Sequence, residues 1–187
     1  MIEILGFSGS LREKSFNSAL LRAAAELAPE GLRVEIGTIR GIPLYDGDVE
    51  DTLGIPEPVR ELKERIVANR GLLLVTPEYN QSLPGVMKNA IDWLSRPPSD
   101  MARVFGGRPV ALMGATPGGF GTVSSQHAWL PVLRALGTRP WFGGTLRVAG
   151  AGAVFNANGE LESETTRKQL RNFLEGFRSF VAELPGT

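Results

Sequence analysis

Apolar segments of strand length alternate with amphipathic helical segments along this chain of 187 residues. The first apolar segment, Ile2–Phe7, leads through a polar Gly/Ser loop to a helical pattern over Phe16–Leu27, where apolar residues recur at spacings of three and four. Leu72–Val75 is apolar without interruption, which is typical of a central strand covered on both faces. This alternation predicts one doubly wound α/β domain over residues 1–187, with a parallel sheet and crossover helices.

The remaining segments extend the same pattern. Further strands are predicted at Leu32–Ile39 and Val110–Gly114, and a fifth at either Leu146–Val148 or Ala153–Phe155. Two helices are predicted to begin near Pro58 and at Pro84. A third includes Trp129–Leu136, with Pro131 either in its first turns or at a kink, and a last helix covers Ser163–Leu184. Gly41–Pro58 is rich in Pro, Gly and Asp, so we expect a long loop there.

The charge balance and the absence of cysteine exclude several classes of function. Twenty basic residues balance twenty acidic ones, which gives no broad electrostatic attraction to nucleic acid or anionic lipid. A chain without cysteine has no disulfides, thiolate metal sites or cysteine nucleophiles. We also find no pattern of a signal peptide or a membrane span, and therefore expect a cytoplasmic protein with no metal site.

The loop after the first strand has the residues of a phosphate site. It runs from Gly6 to Ser18 into a helix N-terminus, where unpaired N–H groups and the helix dipole favour an anion. Ser10, Ser15 and Asn17 offer further donors, and Arg12 can give two N–H groups to one phosphate. The loop lacks the Gly-Lys-Ser/Thr of a Walker loop, the G-x-G-x-x-G fingerprint and a nucleophilic cysteine, which favours a phosphate monoester that is held without cleavage. Ser15 and Asn17 could also be simple helix caps.

Two more loops are expected at the same edge of the sheet, where ligands of open parallel sheets bind. The loop Thr76–Gly85 is polar and bracketed by prolines, so it can present backbone N–H groups to the electron-rich edge of a flavin. Tyr79 could lie against a flat ring, or it could simply cover the sheet edge. In the third loop, Thr116–Thr122, glycines allow a ligand to approach the backbone, while Phe120 could equally plug the edge.

Two motifs carry a resemblance to a known family. The phosphate loop Gly-Ser-Leu-Arg…Ser-Phe-Asn (9–17) and the segment Thr-Pro-Glu-Tyr-Asn (76–80), followed by Pro-Gly-Val-Met-Lys-Asn-Ala-Ile-Asp-Trp-Leu-Ser-Arg (84–96), resemble the NADPH-dependent FMN reductase family. That family includes chromate, quinone and azo-dye reductases, and the resemblance extends over nearly the whole chain. It implies a flavodoxin-like sheet of five parallel strands in the order 2-1-3-4-5, with helices on both faces and tightly held FMN.

The resemblance also assigns the residues that would hold the cofactor. It implies phosphate contacts from one group of residues and contacts with the flavin ring from two others. These are Ser10, Arg12, Ser15, Asn17 and Ser18 for phosphate, Pro77, Glu78, Tyr79 and Asn80 for the ring, and, more loosely, Thr116, Gly118 and Gly119 at the flavin edge. Relatives often have a basic residue soon after this last loop, where this chain has Val123–His127.

We therefore expect an enzyme that passes electrons from NAD(P)H through FMN to a small acceptor by two-step hydride exchange. The acceptor would be a quinone, a free flavin, an azo compound or a metal oxyanion such as chromate, and no catalytic general base is expected. The alternatives are a flavodoxin-type electron carrier that serves partner proteins, which the zero net charge disfavours, and a scaffold that lost its flavin.

Other candidate residues receive weaker interpretations. The single histidine, His127, has no visible partner for acid–base chemistry and is expected on a helix surface or an interface. Members of the family are homodimers or homotetramers, and Lys88 is a candidate for facing a neighbouring subunit. Such an interface or the core would suit a group of large apolar residues, Trp129, Leu130, Trp141 and Phe142.

Overall fold

A computed structural model describes residues 1–183 as a twisted parallel sheet between two layers of helices. The strands are β1 (Ile2–Ser8), β2 (Leu32–Ile36), β3 (Gly71–Val75), β4 (Pro109–Ala115), β5 (Arg139–Pro140) and β6 (Leu146–Val148). The helices are α1 (Phe16–Glu26), α2 (Gly47–Leu53), α3 (Glu57–Ala68), α4 (Gly85–Leu94), α5 (Met101–Phe105), α6 (Val123–Ala135) and α7 (Glu164–Glu183). The order β2-β1-β3-β4-β5, with β6 also on β4, confirms the flavodoxin-like topology.

Alternate residues of the central strands divide the core into two apolar layers. Leu73 and Val75 face the layer formed with α1 and α7, whereas Leu72 and Leu74 face the layer formed with α3, α4, α5 and α6. All four side chains are fully buried. This burial on both faces explains why β3 has no polar residue, in contrast to a strand with one solvated face.

The segment after β2 differs from the sequence-based expectation. β2 ends at Ile36 rather than Ile39, and the predicted loop Gly41–Pro58 contains α2. The Asp46 carboxylate caps this helix by accepting from the N–H of Asp48, and Gly54 ends it at a φ of 74°. None of its residues is buried, so α2 lacks the apolar periodicity by which helices are recognised in a sequence.

The fifth strand position is shared by two short strands. β5 pairs with the start of β4 through Pro109 and Val110, and β6 pairs with its end through Met113 to Ala115. Leu146–Val148 is therefore the correct one of the two predicted candidates, although the prediction missed β5. Phe155 forms only an isolated antiparallel bridge with Leu161.

Two details concern the last helices. Pro131 lies well inside α6, so its predicted place in the first turns is wrong, and the alternative of a kink stays a prediction. The described part of α7 ends at Glu183, and the predicted last residue, Leu184, lies outside the described residues. Within residues 1–183, no helix combines the length and the apolar character that crossing a bilayer requires.

Replacing Leu74 by alanine tests the two-layer core. Leu74 is fully buried, so Leu74→Ala is expected to lower the free energy of unfolding by about 2–5 kcal/mol, through lost apolar burial and a residual cavity. Urea denaturation followed by circular dichroism measures this change. The matched control is Leu53→Ala on α2, where the side chain is 80% exposed and the expected change is within about 0.5 kcal/mol. Equal effects of the two variants would contradict this description of the core.

Candidate functional site

Backbone hydrogen bonds hold the starts of three loops at the carboxyl edge of the sheet. Gly9 N–H donates to the Val75 carbonyl at 2.9 Å, Thr76 N–H to Met113 at 2.8 Å, and Thr116 N–H to Val148 at 2.9 Å. Each loop is thus attached to the end of the neighbouring strand. The structure therefore brings together the segments Ser8–Asn17, Thr76–Leu83 and Thr116–Thr122, as the sequence predicted.

Two glycines allow these loops to touch. A Cβ atom on Gly9 would lie 3.0 Å from both Pro77 Cδ and Pro84 Cγ. The phosphate loop and the second loop, Thr76–Gly85, are therefore in direct contact at Gly9. At Gly114, the last residue but one of β4, an added Cβ would collide with the Thr76 carbonyl oxygen and with Thr122. Side chains at either position would force the three loops apart.

The phosphate loop ends in a capped helix that is fastened to β4. Ser15 Oγ accepts from the N–H groups of Asn17 and Ser18 and is the N-cap of α1. The buried Asn17 amide donates from Nδ2 to the Ala115 carbonyl at 2.9 Å, and its Oδ1 accepts from the Ala115 N–H at 2.9 Å. The structure thus gives Ser15 and Asn17 structural roles, and their contacts with phosphate stay predictions.

The middle of this loop offers free hydrogen-bond donors. Within residues 1–183, no protein acceptor takes the N–H groups of Leu11, Glu13 and Lys14, and the exposed Arg12 forms no ion pair. Arg40, which follows β2, donates from Nη2 to the Leu11 carbonyl at 2.8 Å and braces the loop from outside. The donors sit at the positive end of the α1 dipole, which favours an anion such as a phosphate.

The second loop contains a tight two-residue turn in a strained conformation. Tyr79 and Ser82 exchange two backbone hydrogen bonds of 3.1 and 3.0 Å across Asn80 and Gln81. These two residues have φ values of 50° and 59°, which non-glycine residues adopt at an energetic cost and which cluster at functional sites. The turn exposes Tyr79, and the N–H groups of Glu78 and Asn80 have no acceptor among the described residues.

A buried polar network supports this loop from α6. Thr76 Oγ1 lies 2.7 Å from Ser125 Oγ and accepts from Trp129 Nε1 at 3.0 Å. The Glu78 carboxylate accepts from the N–H of Ser125 at 3.1 Å, near the helix N-terminus. Sequence reasoning missed Ser125 and gave Trp129 no role at the site, because their partners are distant along the chain.

The third loop is open to solvent. Gly118 and Gly119 are exposed, and a Cβ on Gly119 would have no neighbour within 4 Å, so a ligand can reach the backbone there. Thr116 Oγ1 accepts from the N–H of Gly118 at 3.3 Å. Phe120 is 89% exposed and does not plug the sheet edge, which decides between the two interpretations of this residue.

Of the remaining candidates, Trp129 reaches the three loops, through its bond to Thr76. His127 is exposed on α6, in agreement with the expected helix surface. Trp129 is fully buried in the core, whereas Trp141 is partly buried and packs edge-on against the core residue Phe173. Phe142, in contrast, is 73% exposed. Lys88 pairs with Asp92 one turn along α4, at 2.6 Å.

Comparison with known proteins places the chain among flavoenzymes. The sequence profile described as NADPH-dependent FMN reductase matches residues 2–153. An NAD(P)H-dependent FMN reductase of Pseudomonas aeruginosa is 42% identical over 99% of this chain and 98% of that protein. A 2-hydroxy-1,4-benzoquinone reductase of a Burkholderia species is 39% identical over 94% and 93%. The solved structure of FerB, a flavoenzyme NAD(P)H:(acceptor) oxidoreductase of Paracoccus denitrificans, superposes with a TM-score of 0.87 at 31% identity, covering 98% of both chains.

Replacing Asn17 tests whether its amide holds the site together without any ligand. Asn17→Ala leaves the buried N–H and carbonyl of Ala115 without partners, so we expect the ligand-free protein to lose about 1–3 kcal/mol of unfolding free energy. Urea denaturation measures the loss. Arg12→Ala, which removes an exposed side chain of the same loop, should change the same quantity by no more than about 0.5 kcal/mol. A stable Asn17→Ala protein would contradict the structural role.

Proposed function

The chain belongs to the NADPH-dependent FMN reductase family, and from this premise we propose that it is an FMN-dependent NAD(P)H oxidoreductase that reduces a small acceptor. The single observation that carries the proposal is the convergence of three donor-rich loops at the carboxyl edge of β1, β3 and β4. This edge is where ligands bind in open parallel sheets.

The donor set fits the two ends of FMN. The free N–H groups of Leu11, Glu13 and Lys14, together with Arg12, suit the phosphate, a doubly charged acceptor of hydrogen bonds. The free N–H groups of Glu78 and Asn80 suit the polar edge of the ring system, and the exposed Tyr79 offers it a flat apolar surface. The open backbone at Gly118 and Gly119 admits the opposite edge.

When bound, FMN supplies the capacity to accept a hydride from NAD(P)H and to return two electrons to an acceptor. The protein's part is to hold and orient the reactants. Backbone N–H groups of the second loop would stabilise negative charge on a bound ring without changing their own protonation. The bonds from Thr76, Ser125 and Trp129 keep these groups in place. The proposed chemistry requires no general base.

We propose a quinone as the main acceptor. The overall reaction transfers a hydride equivalent from NAD(P)H and one proton from water to the quinone, which gives NAD(P)⁺ and the hydroquinone. The relatives named quinone reductase support this acceptor. Free flavins, azo compounds and metal oxyanions such as chromate are further proposed acceptors, since a flavin face open to solvent imposes few steric limits.

We also propose a homodimer or homotetramer in the cytoplasm. The exposed Phe142 and the partly buried Leu130 of α6 line the same pocket and provide apolar surface for a subunit contact. The cytoplasmic location follows from the proposed need for NAD(P)H as a diffusible donor. Light scattering on the purified protein measures the subunit number directly.

The proposed activity predicts a yellow protein that bleaches. Purified protein should contain about one FMN per chain and lose its flavin absorbance when NADH or NADPH is added without oxygen. Addition of a benzoquinone should then restore the colour. Colour without bleaching would instead indicate a flavodoxin-type electron carrier, and a protein that does not take up FMN would indicate a scaffold.

Arg12→Ala is predicted to weaken FMN binding by about 1.5–3 kcal/mol, because charged hydrogen bonds to phosphate are lost. Fluorescence titration of the FMN-free protein with FMN, and with riboflavin, measures the effect. Riboflavin lacks the phosphate, so its affinity should not change. The matched control is Arg171→Ala on α7, an exposed arginine at the other end of the sheet. Unchanged FMN affinity in Arg12→Ala would remove this residue from the site.

A further inference from the structure

A second cleft lies beside the phosphate loop, on the side of β2. It has a volume of about 390 Å³, within the usual range for small-molecule sites. The phosphate loop and the second turn of α1 form one wall, and Ile36 to Arg40 at the end of β2 form the other. None of the residues of the second or third loop lines it. The cleft is therefore separate from the place proposed for the flavin ring, and it shares Ser10, Arg12 and Ser18 with the place proposed for the flavin phosphate.

The cleft is strongly cationic. Arg12, Arg22 and Arg40 line it together with one carboxylate, that of Glu13. Within the described residues, none of the three guanidinium groups forms an ion pair, whereas many other arginines of the chain do. Among the described residues, the Arg40 guanidinium makes a single hydrogen bond, to the Leu11 carbonyl, which leaves further N–H groups for a ligand. Unpaired arginines around a concave surface are typical of sites for phosphate or carboxylate.

The cleft also exposes apolar surface. Leu11 and Ile36 are 40% and 44% exposed, and both line it, with the buried Leu21 beneath. The hydroxyl groups of Thr38 and Ser18 complete the lining. An apolar floor with a cationic rim suits a ligand that joins a flat ring to a phosphate group, as a nucleotide does.

The position of the cleft suits one half of a dinucleotide. β2 lies next to β1, and the two ring-binding loops follow β3 and β4 on the other side. With neighbouring strands about 4.8 Å apart, the cleft and the ring position are separated by about two to three strand spacings. A nicotinamide lying at the ring and an adenosine in the cleft can therefore belong to the same extended molecule.

We propose that this cleft binds the 2′-phosphorylated adenosine of NADPH, with Arg22 and Arg40 holding the 2′-phosphate and Leu11 and Ile36 contacting the adenine. The proposal rests on the proposed function, because it assigns a donor subsite to that reaction. It makes the enzyme selective for NADPH over NADH, since NADH lacks the phosphate that the two arginines bind.

Steady-state kinetics of the FMN-loaded protein test this assignment. Arg22→Gln should raise the KM for NADPH about tenfold or more, the loss of one charged hydrogen bond, while the KM for NADH and kcat stay unchanged. Because Arg40 also braces the phosphate loop, Arg40→Gln is judged by the ratio of the KM for NADPH to the KM for NADH, which should rise about tenfold. Arg171→Gln is the matched control and should alter neither KM. The FMN content and the thermal midpoint of each variant are measured alongside. Equal changes with both nucleotides would overturn the assignment, and loss of FMN would show that the cleft belongs to the flavin phosphate.

A binding measurement separates this proposal from the proposed function. Adenosine 2′,5′-bisphosphate, titrated calorimetrically into the FMN-loaded protein, should bind and should lose about tenfold in affinity in Arg22→Gln. Adenosine 5′-monophosphate should bind more weakly than the bisphosphate. If the protein oxidises NADPH but the bisphosphate does not bind, the subsite is wrong and the proposed function stands. If the bisphosphate binds and the protein oxidises neither NADPH nor NADH, the proposed function is wrong and the binding site in the cleft stands.

Discussion

The site depends on the hydrogen bonds by which each loop is attached to the strand beside it. The first residues after β1, β3 and β4 are Gly9, Thr76 and Thr116. Each donates its backbone N–H to a carbonyl of the neighbouring strand. These bonds continue the ladder of the sheet past its edge. Because β3 is buried on both faces, the edge cannot shift without disrupting the core on either side.

This attachment explains why the candidate site needs few charged side chains. The fixed backbone leaves N–H groups at Leu11, Glu13, Lys14, Glu78 and Asn80 without partners among residues 1–183. Such groups stabilise an anion without a change of protonation, and their orientation is set before a ligand arrives. The strained turn at Asn80 and the buried network beneath Thr76 are consistent with a loop shaped for binding rather than for stability alone.

The sequence predicted the layer architecture and the three loops, because both follow from local patterns: strand-length apolar segments, helical periodicity and polar residues after strands. It missed features that depend on distant contacts or on exposure. Helix α2 buries no residue and so has no periodic signal, and β5 is only two residues long. The bond between Asn17 and Ala115 joins residues 98 positions apart, so the sequence offered only a phosphate donor or a helix cap as the role of Asn17. Arg40 was missed because no motif links it to the phosphate loop.

Hydrogen–deuterium exchange with and without FMN tests the central claim most directly, since the claim concerns backbone N–H groups. The amides of residues 9–18, 76–82 and 116–122 should exchange more slowly in the presence of FMN, while peptides from α2 and α7 should be unaffected. Protection in all three loops at once is the result predicted for one ligand bound across them. Slower exchange confined to another surface, such as the region around His127 and Phe142, would contradict the account.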